Sequence, residues 1–255
     1  MTDKIALVTG GGKRLGAKIA AALGEDGYHV IIHYNSSATE ARAVETRIRD
    51  AGGSAETAQF EMGDSAGVAR FMADRGRVDV LINSASIFEM DRPEDVAAPE
   101  LERAMRVNLM APVLLASQMA RHHETRASGA IINILDQKLF NLNPDFFSYT
   151  LSKHALLGAT TTMAMAFAPR VRVNAIAPGI TLPSGGQSQE EFERAHRMNP
   201  MQGGSTPADI IRTMRFILAT PAMTGETLIV DGGQHLDARN GDVMYATGVP
   251  EDEPR

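Results

Sequence analysis

Short, mostly apolar runs recur along this chain with a helical pattern between each pair, and that alternation restricts the folds open to it. The runs are Ile5–Val8, His29–His33, Glu56–Phe60, Val78–Ile82, Ala130–Leu135, Arg170–Ala175 and Thr227–Val230. Helical periodicity falls at Leu15–Leu23, Ala38–Asp50, Ala66–Asp74, Glu100–His122, Tyr149–Ala168 and Pro207–Ala219. Strands joined by helical crossovers pair in parallel, and the crossovers are right-handed. Runs that are apolar over most of their length, such as Val80 to Ile82, suit strands covered on both faces. The expected fold is therefore α/β, a single-domain Rossmann-type doubly wound parallel sheet of seven strands. A chain of 255 residues is long enough to bury one substantial core. That domain is expected to span residues 1–236.

Two stretches stand outside the alternation. From Thr181 to Thr206 the chain is rich in Gly, Ser, Gln and Pro, with a short helical pattern near Gln189–Arg197. A long weakly structured stretch inside a compact domain reads as a functional loop, here a substrate lid at about 181–206, or as a plain surface loop. Residues 237–255 form a polar tail expected to extend outward, either framing a neighbouring subunit's site or fraying over its last ten or so residues.

Charge and composition exclude several functions. Net charge is −6 and the basic residues form no stripe, so no nucleic-acid partner is expected. There is no cysteine, which rules out disulfides and thiolate chemistry and suits a reducing compartment. His122, His123 and Glu124 close a long helix as polar surface, no His-Glu-x-x-His pattern occurs, and no metal site is expected. No apolar run approaches a membrane span, and no charged leader with an apolar stretch precedes Ile5. A cytoplasmic protein without membrane partners is the expectation.

Two motifs carry chemistry. The turn from Thr9 to Gly16 follows the first strand and opens the first helix. There, glycines such as Gly10 allow backbone to approach a pyrophosphate, and the helix start presents unpaired N–H groups to the anion. The second strand ends in Tyr34, Asn35, Ser36 and Ser37, with no acidic residue to repel a 2′-phosphate. Lys13 and Arg14 lie in the adjoining turn, as phosphate ligands or as solvated helix-start charges. NADP(H) is favoured over NAD(H). Glu61, after the third strand, is placed to accept from the adenine amino group. The second motif is Tyr149 with Lys153, four residues apart and so on one helix face. A lysine ammonium beside a phenol favours the phenolate and lowers its pKa, preparing a proton donor for a bond that receives hydride.

Together these segments resemble the short-chain dehydrogenase/reductase family over essentially residues 4–236. The matching positions are the Thr9–Gly16 turn, Asn83 to Ser86 after the fourth strand, Asn108, Tyr149 with Lys153, Pro178 with Gly179, and Asp231 to Gly233. The resemblance implies cofactor contacts that also include Leu15, Met62, Asn83, Ser84 and Ala85, and a bond from Thr181 to the nicotinamide carboxamide. It implies that Lys153 holds the nicotinamide ribose, and that Asn108 kinks its helix and holds a water in a relay toward Lys153. It also implies a homotetramer built on the two long helices, about Glu100–His122 and Tyr149–Ala168. Met110, Met119, Met163 and Met165 on helical segments are core or subunit-contact residues.

Two departures from the family pattern carry more information than the matches. Arg14 stands where the turn usually has glycine, and Asp136, thirteen residues before Tyr149, stands where the catalytic serine is usual. Both resemble the pteridine reductase and dihydromonapterin reductase subgroup, as do His33, Tyr34 and Phe88. That likeness implies a pterin stacked on Phe88, with Ser86, Arg14, Asp136 and Tyr149 as its polar contacts. An arginine often found after the His-Tyr pair is absent at Asn35 and Ser36, and Ser84 replaces a commoner asparagine. Chemically, an aspartate can exchange a proton with the phenol, and when ionised it raises the Tyr149 pKa against Lys153. Phe146 and Phe147, just before the tyrosine, line the pocket mouth or serve as packing. Simpler readings exist beside the others: Asp136 as a strand-end cap, Arg14 as surface charge, Phe88 as core. The expected activity is NADPH-dependent reduction of a pterin or dihydropterin. The alternatives are a carbonyl reductase for a ketone, sugar or 3-oxoacyl group, and a nucleotide sensor without turnover.

Overall fold

The computed structural model describes residues 4–126, 128–184 and 187–243. Seven parallel strands form one sheet in the order β3-β2-β1-β4-β5-β6-β7. They are β1 (Ile5–Val8), β2 (His29–Tyr34), β3 (Ser54–Gln59), β4 (Val80–Asn83), β5 (Gly129–Ile134), β6 (Val171–Pro178) and β7 (Thr227–Val230). The helices are α1 (Arg14–Glu25), α2 (Ala38–Asp50), α3 (Ser65–Arg75), α4 (Ala98–Met105), α5 (Ala111–Arg121), α6 (Phe147–Phe167), α7 (Gln189–Arg197) and α8 (Pro207–Ala219). Successive strand residues face opposite sides. In β1, Ala6 and Val8 pack under α1, α2 and α8, whereas Leu7 packs under α3, α5 and α6. Burial on both faces explains why the central strands lack polar alternation.

The strand order reverses between β1 and β4, and the carboxyl ends of these two strands open the crevice where ligands of such sheets bind. Several local features differ from the sequence expectation. First, β3 begins at Ser54 rather than Glu56, because its register pairs Ser54 with His29 of β2. Second, the expected helix Glu100–His122 is interrupted. Residues Arg106–Met110 form a π-helical turn between α4 and α5, and the Ala111 N–H donates to the Arg106 carbonyl. Pro112 cannot donate to the Asn108 carbonyl, so regular α-helical bonding fails at that residue. The short helical pattern expected near Gln189–Arg197 is α7, which begins with a capping box of Ser188 and Glu191. Gly185 and Gly186 of the expected lid lie outside the described residues.

The chain after Leu236, expected to extend outward, instead folds back as far as Val243, which is buried. Asn141 Nδ2 donates to the Asp237 carbonyl at 2.8 Å, and the Asp242 N–H donates to Asp145 Oδ2 at 2.8 Å. The last ten or so residues of the expected fraying tail lie outside the described residues. Among the described residues, no helix is long and apolar enough to cross a membrane, and no cluster of three His, Asp or Glu side chains is placed to hold a metal.

Candidate active site

A single cavity of about 1390 Å³ runs across the carboxyl ends of β1, β2, β4, β5 and β6. That exceeds the roughly 300–1,000 Å³ of a one-ligand site and leaves space for a dinucleotide and a second molecule together.

Its nucleotide end is made by the turn after β1. Gly10 has φ +65°, and a Cβ there would sit 3.0 Å from the Ala85 Cα. A Cβ on Gly16 would lie 2.3 Å from the Gly10 carbonyl oxygen, so the turn closes only with glycine at that position. Lys13, at the N-cap of α1, supplies no side-chain cap, which leaves the first N–H groups of the helix for another acceptor. Two residues brace the turn from behind. Thr9 Oγ1 accepts the N–H groups of Ser84 and Ala85 at 3.0 Å each, tying β1 to the loop after β4. His33 Nδ1 accepts the Gly10 N–H at 3.1 Å, while Nε2 lies 3.0 Å from the Phe60 carbonyl. The first bond needs a bare Nδ1 and the second a protonated Nε2, so one neutral tautomer fits both. Burial pushes the His33 pKa down to about 4.

The cavity wall places most of the cofactor candidates together: Gly10, Lys13, Arg14, Leu15, Tyr34, Asn35 and Ser37 on one side of the switch point. Glu61, Met62, Ser84, Ala85, Pro178, Gly179 and Thr181 complete it. Ser36 is exposed and does not line the cavity. The Asn83 side chain is buried within the sheet, donating to Asn133 Oδ1 at 2.8 Å, and does not line the cavity either. Lys13 pairs with Glu40 at 2.7 Å in an exposed contact. Arg14 has φ +50°, the left-handed conformation that glycine adopts freely, and its guanidinium donates to Ser184 Oγ at 3.3 Å. A left-handed residue with a Cβ costs roughly 1–2 kcal/mol, which argues that this position is held for its side chain.

The reacting end is built on α6 and the end of β5. Asp136 leaves β5 in extended conformation and has two contacts. Its Oδ1 accepts the Lys138 N–H at 2.8 Å, capping a short 3-10 turn, and its Oδ2 accepts the Tyr149 hydroxyl at 2.7 Å. The strand-end cap and the tyrosine partner are thus one residue. Lys153, buried one helical turn on, donates to the Ile134 carbonyl at 2.7 Å. Burial raises the Asp136 pKa; hydrogen bonds from Lys138 and Tyr149 oppose this, and the Asp242 charge adds to it. The Tyr149 phenol is pushed well above its ordinary value by burial and by the adjoining Asp136. Lysine alone favours the phenolate, but here the carboxylate and burial prevail. Burial lowers Lys153 to about 8, with Asp136 opposing the shift.

Asn108 sits at the centre of the π turn, fully buried, with its side chain committed to neighbours. It exchanges two hydrogen bonds with the Ile87 backbone at 2.8 and 2.9 Å and donates to Ser152 Oγ at 3.0 Å. The loop carrying Ser86 and Phe88 is therefore clamped to α6. The Phe88 ring, 39% exposed, lines the cavity rather than the core. It stacks on Phe146 at 3.9 Å and meets Tyr149 edge-on at 4.8 Å. Ser86 lines the same wall.

Two contributors, Asp91 and Asp242, escaped the sequence reading, and for a third, Phe146, the left-handed backbone was not foreseen. Asp91 accepts the N–H of Ser148 at 3.0 Å and its hydroxyl, fixing the start of α6 from the loop after β4. Phe146 holds φ +55°, ψ +50° while buried against Phe88. Asp242 reaches the cavity from the C-terminal segment. Asp91 and Asp242 lie 57 and 104 residues from partners at Ser148 and Lys138, a separation at which no local pattern registers.

Comparison with known proteins agrees with this geometry. The structure superposes on that of FolM alternative dihydrofolate reductase 1 from Brucella canis, complexed with NADP, with a TM-score of 0.86. The two share 42% identity over 94% of this chain and 96% of that one. An uncharacterized oxidoreductase of Methylorubrum extorquens is 34% identical over 91% of this chain and 98% of its own. A 3-oxoacyl-[acyl-carrier-protein] reductase of Synechocystis is 30% identical over 91% and 97%. The short chain dehydrogenase profile matches residues 4–194, well over half the length, and the chain is an oxidoreductase belonging to the short-chain dehydrogenase/reductase family.

Proposed function

We propose that this protein is an NADPH-dependent reductase of a dihydropterin. The observation that carries the reading is Asp136 Oδ2 at 2.7 Å from the Tyr149 hydroxyl, beside the exposed ring of Phe88. A ketone reductase needs only a neutral donor at that position. A ring nitrogen that must gain a proton is better served by a phenol backed by a carboxyl group that can refill it.

The residues fit a dinucleotide. The uncapped α1 terminus and the close-packed glycines at 10 and 16 suit a pyrophosphate, and the end of β2 presents Tyr34, Asn35 and Ser37 without a carboxylate. Lys13 would meet a 2′-phosphate there, with the exposed Lys13–Glu40 pair opening to it. When bound, the reduced nicotinamide supplies the hydride.

The chain's own residues do the rest. Phe88 holds a flat ring by stacking, and Arg14 and Ser86 hold its polar edge. Tyr149, kept protonated by burial and by Asp136, donates the proton and is replenished from the raised Asp136 carboxyl. Lys153 holds the nicotinamide ribose, and its ammonium offsets the charge that grows on the phenol. Asn108 keeps the Phe88 loop and α6 in register. The segment around α7 acts as the lid over the substrate.

The FolM neighbour favours this reading, and the 3-oxoacyl reductase relative favours a carbonyl substrate instead. NADPH oxidation measured with dihydrobiopterin and with a panel of ketones and 3-oxoacyl thioesters separates them. Turnover of the pterin is expected. Turnover of ketones with inert pterins reverses the assignment.

A further inference from the structure

The substrate end of the cavity has a wall that no motif accounts for. Gln137 follows Asp136, and its Oε1 is buried with no hydrogen-bond partner among the described residues. Asp242 lines the same cavity, brought there by the folded-back chain. Its placement is built from several sides. Lys138, 2% exposed, reaches Asp242 Oδ2 at 3.2 Å and also donates to Asn143 Oδ1. The Asp242 N–H is held by Asp145, and Asp145 is in turn 3.5 Å from the Arg92 guanidinium. Lys138 itself does not line the cavity, whereas Asp136, Gln137 and Asp242 do. Two of the three groups gathered beside the proton donor are therefore carboxyl groups, and the third is a carboxamide that can accept through its oxygen or donate through its nitrogen.

We propose that Asp242, with Gln137, forms an acceptor-lined end of the substrate cleft that selects molecules bearing hydroxyl or N–H donors close to the reducible bond. The inference rests on the dihydropterin reading and refines it. A polyhydroxylated side chain and the amino edge of the ring are the two places where such a substrate carries donors. A substrate carboxylate in the same place would compete with Asp242 for Lys138 rather than donate to Asp242, and would be disfavoured against a donor. Asp242 is a specificity residue in this scheme, with no part in the hydride or proton transfer.

The test uses the NADPH-saturated enzyme with dihydrobiopterin, which has side-chain hydroxyls, and with a methyl-substituted dihydropterin, which has ring donors only. Two variants are compared. Asp242→Ala removes the acceptor, and Asp242→Asn keeps an acceptor for Lys138 while turning one oxygen into a donor. The expected result is a loss of about tenfold or more in kcat/KM for dihydrobiopterin, carried by KM. The KM for NADPH and the melting temperature of Asp242→Asn should stay at wild-type values. A loss confined to dihydrobiopterin supports the proposal with side-chain hydroxyls as the donors. An equal KM loss for both pterins supports it with the ring edge as the donor. No loss for either, or a parallel rise in the KM for NADPH, overturns it. A wild type inert toward every dihydropterin sinks the pterin reading alone. The same variants are then compared on a hydroxylated ketone and its deoxy counterpart, where a loss confined to the hydroxylated ketone supports the acceptor wall and equal rates overturn it.

Discussion

The proton carried by Tyr149 is shared with a carboxyl group, and this arrangement separates binding from turnover at single residues. Tyr149→Phe removes the donor and leaves the nucleotide end untouched, so NADPH affinity should persist while turnover falls roughly 10²–10⁴-fold, the usual worth of a positioned acid. Asp136→Ser should likewise lower pterin reduction far more than NADPH affinity; fluorescence titration beside steady-state rates measures both, and matched losses would remove Asp136 from the chemistry. The pH profile follows from the direction of each shift. Tyr149 stays protonated past the ordinary phenol range, so it does not titrate near neutrality. Lys153 loses its proton at about 8 in the folded protein, so kcat/KM should be level below that value and decline above it. Asp136 holds the Lys153 value up, so in Asp136→Asn the alkaline decline should begin at lower pH. An unmoved limb in that variant would assign it to another group.

Individual elements place these residues, and their legibility in the sequence varies with how local their causes are. The β1 turn, α1 and the Tyr149–Lys153 face were readable because glycine spacing and helical period act within a few residues. The π turn was legible only as the kink that family resemblance implies at Asn108; locally, only Pro112 marks the interruption. The folded-back segment was hidden, since Asp237 and Asp242 are held by Asn141, Asp145 and Lys138 from far along the chain. His33 shows the same limit. Its position at the end of β2 was visible, whereas its bonds to Gly10 and Phe60 belong to packing across the sheet. The burial of His33 carries a consequence for the whole β1–β2 end. With a folded pKa of about 4 against an ordinary 6.5, the unfolded chain binds the extra proton between those values. The stabilisation is complete above about 6.5 and is lost as pH falls toward 4, an effect of about 3 kcal/mol if His33 alone is responsible. Denaturant melts across this range should show the decline, and His33→Asn should flatten it.

At the scale of the molecule, the sheet is sealed on both faces, and among the exposed apolar side chains three lie on α-helices: Leu151 and Met165 of α6 and Phe216 of α8. Met119 and Met163 are buried, but Met165 is 76% exposed, and Leu151 on the same helix is also exposed. Leu151, Gly158 and Met165 are spaced by seven, so they fall along one stripe of α6. A Cβ on Gly158 would meet nothing, which leaves a shallow groove between two apolar side chains. Such a stripe costs solvation in a monomer and packs readily against a second copy of itself across a two-fold axis. We therefore infer that α6 meets α6 of another subunit, the contact on which the homotetramer expected by resemblance would partly rest. Light scattering of the wild type should give four times the chain mass. Met165→Lys places a charge in the apolar stripe, where it would have to be desolvated in the contact, and should shift the mass toward dimers or monomers without changing NADPH affinity. A Met165→Lys protein that remains tetrameric would move the contact to another face, and a monomeric wild type would leave the α6 stripe without a partner subunit.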